Sequence, residues 1–207
     1  MIGGDAMEGA IFYWFSWLGW IWSTFFMSKD NQYRFKISAG LLILIISSPY
    51  KTVIMGIDVY LSAFILMMFF ILETFKLKNR VFFSVFLSSF ILMLGYVSFL
   101  LFELFDPVWV LFDRKWMIAF GGMIIGSVLQ TSRHRRLMSI AAGLILGEVL
   151  FSIIMKKLSF PYPVASPAFL DVIASLTMLV TVWTAFNYVA ELAGNYFNQG
   201  RGKQKST

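Results

Sequence analysis

Seven apolar stretches separated by short charged connections run the length of the sequence and restrict it to one class of fold. They fall at residues 10–27, 37–54, 59–75, 81–102, 116–132, 137–155 and 168–190. A bilayer core about 30 Å thick needs roughly 20 apolar residues of helix, so each stretch is at or near spanning length. Composition agrees: 59% of the residues are hydrophobic and 14% are charged, against about 25% charged in soluble domains. A 207-residue chain of this kind has too little polar surface to cover a water-facing globule. The expected fold is all-α, one integral membrane bundle of seven transmembrane helices over residues 7–192.

The second stretch is the least regular, because Pro49 and Lys51 interrupt it. Snorkelling of Lys51 to the interface brings it to adequate length, with Pro49 bending the helix near its outer end. The segment FDPVWVLFDRKWM (105–117) reads as lying along the interface before the fifth span.

The cations set the orientation. Connections after the odd-numbered spans hold Lys29, Arg34 and Lys36; Lys76, Lys78 and Arg80; Arg133, Arg135 and Arg136; and Arg201, Lys203 and Lys205. The opposite side holds only Lys51, Arg114, Lys115, Lys156 and Lys157. Under the positive-inside rule the amino terminus is outside and the carboxyl terminus cytoplasmic. The cytoplasmic loops are expected to face anionic lipid headgroups. Residues 1–6 read as a translated leader ahead of Met7, since I-G-G-D can be encoded by a sequence containing a bacterial ribosome-binding site. Residues 193–207 read as a disordered basic tail.

Several chemistries are absent from the pattern. The chain has no cysteine, which removes disulfides, thiolate metal sites and cysteine nucleophiles. HExxH, GxSxG, the P-loop and the dinucleotide glycine fingerprint do not occur. The last span has no lysine for a retinal Schiff base. His134, the sole histidine, sits in a basic loop, TSRHRR, that suits phosphate better than a metal. No catalytic residue, cofactor site, metal site or nucleic-acid partner is expected.

Apolar helices gain no hydrophobic energy by meeting in lipid, so close backbone approach and polar contacts must join them. Gly122 and Gly126 form a GxxxG in span five, and Ser139, Gly143 and Gly147 form a small-residue stripe down span six. These neighbouring spans are expected to pack on each other. Ser166-Pro167 is an N-cap followed by proline at the first helical position. Asp171 near the start of span seven lies at the height of Lys156 and Lys157, and an outer-face ion pair among them is expected.

Glu148 is the charge that most needs an explanation. It lies roughly 10 Å below the outer end of span six at about 1.5 Å per residue. Inserting a charge at such depth costs on the order of 2.5–3.5 kcal/mol. Partners at matching depth are Tyr96, Ser175, Ser47, Ser48 and Ser16. A protonated Glu148 bonded to one of them is a structural lock. An ionised one beside water is a proton or cation path, or a polar pocket open to the outside.

The stretches FYWFSWL (12–18), LFDPVWVLFDRKWM (104–117), GEVLF (147–151), SFPYP (159–163) and LDV (170–172) resemble the YphA-like family of small membrane proteins from Bacillus-type Firmicutes. The resemblance implies a multi-pass protein of the bacterial cell membrane and no established reaction. Two functions stay in view. The first is a non-enzymatic envelope partner or assembly factor. The second is a small-solute or proton-coupled transporter component with a polar site at Glu148. A cavity reaching Glu148 and Tyr96 separates them: a packed core there favours the first, an outward-open pocket the second.

Overall fold

The computed structural model describes residues 8–204; the expected leader and the last three tail residues lie outside the described residues. Seven α-helices follow one another: α1 (Ala10–Ile21), α2 (Gln32–Ser47), α3 (Leu61–Thr74), α4 (Asn79–Phe105), α5 (Arg114–Leu129), α6 (Arg133–Lys157) and α7 (Pro167–Gln204). A π-helical turn, Trp22–Phe26, extends α1 and closes on a bond from Met27 N–H to the Trp22 carbonyl (3.3 Å). Arg34 of α2 donates to the Thr24 carbonyl within that turn (2.6 Å).

Helix boundaries follow local chemistry. Asn31 caps α2 through the Tyr33 N–H (3.0 Å), and Asp113 caps α5 through the Lys115 N–H (2.9 Å). The α4 helix stops before Asp106-Pro107, where the ring of proline disfavours helical backbone in the residue ahead of it. Ser166 accepts from the Phe169 N–H (3.4 Å) and Pro167 opens α7, as the sequence predicts. The helices Asn79–Phe105, Arg133–Lys157 and Pro167–Glu191 are long and apolar enough to cross a membrane. Helix α3 is apolar but has 14 residues. Helix α7 continues to Gln204, into the segment whose composition suggested disorder.

One stretch departs from the expected all-helical bundle. The second helix ends at Ser47, not at residue 54, and Pro49 stops it where a bend was expected. Lys51–Ile54 (β1) and Ile57–Tyr60 (β2) instead pair antiparallel, with Ile54 opposite Ile57. Met55 and Gly56 form the two-residue turn, both with positive φ (50° and 74°), as a right-twisted hairpin requires. Lys51 therefore pairs with Asp58 across the strands (3.2 Å) and does not snorkel from a helix. The hairpin is tied to the α6–α7 loop. Val164 donates to the Asp58 carbonyl (2.8 Å) and accepts from the Tyr60 N–H (3.0 Å), and Ser62 Oγ donates to the Ala165 carbonyl (3.1 Å).

Helix α6 is the most buried of the three long helices, and it packs on α3, α4 and α5. Helix α7 packs on α1 and α5, and α2 joins α1 to α3. Phe83, Phe69, Val128 and Phe186 are among the many large apolar side chains left exposed on the exterior. Such a surface suits lipid and would not suit water.

The small-residue stripe of α6 meets a different neighbour from the expected one. Gly143 faces Leu92 and the backbone of Ser89 on α4, and Gly147 faces the ring of Tyr96. Only Gly126 of α5 meets α6, against Ile140, while Gly122 faces Leu176 of α7. Ser139 is buried with its hydroxyl unpartnered among the described residues. Helix α4 competes better for the stripe because it is the longer partner and has Ser88 and Ser89 with hydroxyls turned back to its own carbonyls. A Cβ at position 143 would sit 2.8 Å from the Ser89 carbonyl oxygen, which the backbone holds in place. Gly143→Ala should therefore destabilise by about 1–3 kcal/mol, read as a lower thermal midpoint in detergent. Gly121→Ala, with nothing within 4 Å of the added carbon, should not.

Candidate functional site

The connections before α3, after α4 and after α6 meet at one end of the bundle, the hairpin end, together with the first turns of α1, α5 and α7. Two fully buried carboxyls, Glu148 and Asp171, lie beneath them with very different surroundings.

Asp171 is a structural cap. Its two oxygens accept from the Gly9 N–H (2.9 Å) and the Phe12 N–H (2.9 Å), which are orphan donors of the first turn of α1. Lys115 of α5 reaches the same carboxylate (3.4 Å). The expected pairing with Lys156 and Lys157 does not form, because Lys156 turns to the Met55 carbonyl at the hairpin tip. The unpaired N–H groups at the start of α1 attract a carboxylate more strongly than lysines at the end of a neighbouring helix, where they already favour the local dipole.

Glu148 has one oxygen engaged and one not. Tyr96 donates to Oε1 (2.6 Å), and Tyr162 donates to the same atom (3.1 Å). Oε2 is buried without a hydrogen-bond partner among the described residues. The Ala165 backbone amide also faces the carboxyl. Of the depth-matched candidates only Tyr96 reaches it. Ser47 and Ser48 donate to the carbonyls of Leu44 (3.0 Å) and Ile45 (2.8 Å) on their own helix, with Tyr13 hydrogen-bonded to Ser48. Ser16 is buried on α1, and Ser175 is buried without a partner among the described residues.

Two contributors went unassigned in the sequence. Tyr162 sits in the loop that the hairpin pins, and its backbone carbonyl accepts from Ser152 of α6 (2.8 Å). Burial, and the neighbouring Glu148 carboxyl, push its hydroxyl well above the ordinary phenol value, so it remains a donor. Arg114 at the start of α5 donates to the Tyr162 oxygen (3.4 Å) and pairs with Glu103 of α4 (3.3 Å). A tyrosine between two prolines in a fixed loop, and two cations on the first turn of a helix, were the available signals.

These groups border a cavity of about 650 Å³ at the hairpin end, lined by Tyr96, Glu148, Tyr162, Arg114, Lys115 and Phe169 among others. It has the size of a small-molecule site and the usual mixture of apolar wall and few polar groups. Below it, Leu92, Ile140 and Leu144 are buried in the core and separate Glu148 from the opposite end. At that end Glu73 pairs with Lys76 and lies 3.7 Å from His134.

Replacing Asp171 tests the assignment of the two carboxyls. Asp171→Ala should lower stability by about 1–3 kcal/mol for each buried N–H left without an acceptor, measured by thermal unfolding in detergent. Asp171→Asn, which keeps one carbonyl oxygen, should fall between.

Comparison with known proteins gives the same class as the fold. Residues 8–206 match the family described as YphA-like integral membrane protein. A protein of Bacillus subtilis (strain 168), the uncharacterized protein YphA, is 24% identical over 195 residues, spanning 91% of this chain and 93% of that one. No solved structure matches. The matched region takes in every helix and both buried carboxyls, and the chain belongs to the family of YphA-like integral membrane proteins.

Proposed function

We propose that the chain is a seven-span protein of the bacterial cell membrane that holds a small solute in a pocket facing outward, as a carrier component or solute receptor. The observation that carries this reading is the cavity of about 650 Å³ that reaches Glu148 and Tyr96. A packed interior at that point would have favoured the envelope-partner reading. Glu148 is not fully locked either, since Oε2 has no partner among the described residues.

Orientation rests on the cation bias of the sequence: the connections after the even-numbered apolar stretches, which meet at the pocket end, hold five lysines and arginines, against twelve after the odd-numbered ones. The basic end then faces the cytoplasmic leaflet, with its anionic headgroups. The shorter helices reach across with the help of their interfacial flanks, such as the exposed Phe105, Val108, Leu111 and Phe112 before α5. Because the chain has no cysteine, introduced cysteines can be read without background. A membrane-impermeant maleimide should label Asp106→Cys and not Lys78→Cys in intact cells; the reverse pattern overturns the orientation.

Solute binding is tested by extracting protein purified in mild detergent and identifying its small molecules by mass spectrometry. Ala168 lines the pocket wall and is only half-buried. Ala168→Trp should fill the space and lower the retained solute at least tenfold, with helix content by circular dichroism unchanged. Identical small-molecule content in the two proteins would sink the reading and return the envelope-partner role to first place.

A further inference from the structure

Glycines in a membrane bundle usually mark places where two helices close on each other. Gly126, Gly143 and Gly147 do so here, each with a neighbouring atom 2.6 Å from an added Cβ. Gly121 of α5 does not. Nothing lies within 4 Å of its added Cβ, and one at Gly95 on α4 meets only the tip of Ile125, at 3.6 Å. The two helices are tied at their far end by Gln130, which donates to Ser84 and Ser88. Toward the hairpin end they leave a crevice of about 140 Å³, walled by Leu92, Phe99, Met117, Ile118 and Ile125, with Leu144 of α6 behind. Over residues 117–125 it follows α5 for about 12 Å. Gly95 and Gly121 are half-buried, and the exposed Leu94, Phe120, Ile124 and Ile125 surround them. The crevice therefore opens sideways, onto the exterior that suits lipid.

At its upper end the crevice adjoins the cavity. Tyr96 lines both spaces, and the linings follow each other within about one helical turn, from Met117 to Lys115 on α5 and from Leu144 to Glu148 on α6. A polar space at the end of the bundle, followed by an apolar track toward its middle, is the order of head and chain in one leaflet of a bilayer.

The charges of the cavity restrict the head. Arg114 and Lys115 already pair with Glu103 and Asp171, and Glu148 is held by Tyr96 and Tyr162. Glu8 and Asp113 are exposed on the same lining, and Asp113 accepts through one oxygen from the Lys115 N–H. An anionic head meets those two carboxylates and finds the cations engaged. A cationic head meets Arg114 and Lys115. A hydroxyl donates to a carboxylate and brings no charge of its own. Tyr60, Tyr162 and Phe169 add aromatic surface for such a head to rest on.

We infer that the pocket takes an amphiphile from the membrane itself, with an uncharged, hydroxyl-bearing head in the cavity and a hydrocarbon chain in the crevice between α4 and α5. This rests on the cavity being a solute site. A chain gains no hydrophobic energy in passing from bilayer to crevice, so the head sets selectivity and the crevice sets the route. The solute enters from the leaflet beside α4 and α5 without crossing water.

The test is photocrosslinking of the full chain in phosphatidylcholine nanodiscs with three probes that share one diazirine-bearing chain: a monoacylglycerol, a lysophosphatidic acid and a primary alkylamine. The monoacylglycerol should label residues 92–99 and 117–125 at least fivefold more than either charged probe. Gly121→Leu, which fills the crevice, and Ala168→Trp, which fills the cavity, should each lower that labelling by a similar factor. Probe ratios in the wild-type chain decide the matter even where a variant fails to fold. Absent labelling, equal labelling by the three probes, or labelling that Ala168→Trp leaves intact overturns the amphiphile. The cavity reading survives that result when the extracted wild-type protein holds a solute that Ala168→Trp loses and Gly121→Leu keeps. Both fall when it holds none that Ala168→Trp loses.

Discussion

The close approach of α6 to α4 is the contact on which the site depends. At Gly143 and Gly147 the surface of α6 is little more than backbone, and Leu92 and Tyr96 of α4 settle directly against it. In lipid this contact has no hydrophobic driving force, so it must be held by packing and by polar bonds across the seam. The tyrosine ring that covers Gly147 carries the hydroxyl that reaches Glu148 on the next residue. Any larger side chain at position 147 would displace the ring and separate the pair. One glycine thus sets helix spacing and the geometry of the buried carboxyl together.

The rest of the pocket is assembled from segments outside the helix interiors. Tyr162 is placed by a loop bonded to a two-stranded hairpin, and Arg114 and Lys115 by the Asp113 cap that starts α5. Asp171 ties the beginning of α1 to α7 and accepts Lys115 as well. The contacts of Asp113 and Asp171 thus fix helix starts, while those of Glu148 and Tyr162 border the cavity. The opposite end is different in kind. Gln130 binds the hydroxyls of Ser84 (2.9 Å) and Ser88 (2.8 Å), closing α5 onto α4 where Leu92 and Leu144 already fill the interior.

Helices were legible in the sequence wherever a long apolar run met charges at both ends, as in α4 and α6. The second span was misjudged because a spanning length was asked of it. Pro49, the β-branched residues 52–54 and the Met55-Gly56 turn were all present, but they compete with a bilayer argument that favours counting apolar residues. Glu148 and Tyr96 were found by depth alone, since helical rise converts sequence distance into height. Depth carries no azimuth. It could not tell which face of α6 meets α4, so the stripe was assigned to α5 and Asp171 to Lys156 and Lys157. Tyr162 and Arg114 come from connections, where no period relates residue number to position.

The cavity draws its walls from helices that touch again below it. Tyr60, Tyr96, Glu148 and Tyr162 come from β2, α4, α6 and the loop after α6, and Arg114, Lys115 and Phe169 from α5 and α7. Arg114 crosses between the walls through Glu103 and Tyr162. Beneath, α5 packs on both α4 and α6, and Gln130 fastens its far end to Ser84 and Ser88. The walls are thus hinged shut at one end and parted at the other, like the covers of a book held at its spine. A molecule bound to both walls adds a clasp at the open edge, and its occupancy stiffens that edge without having to bring the helices together.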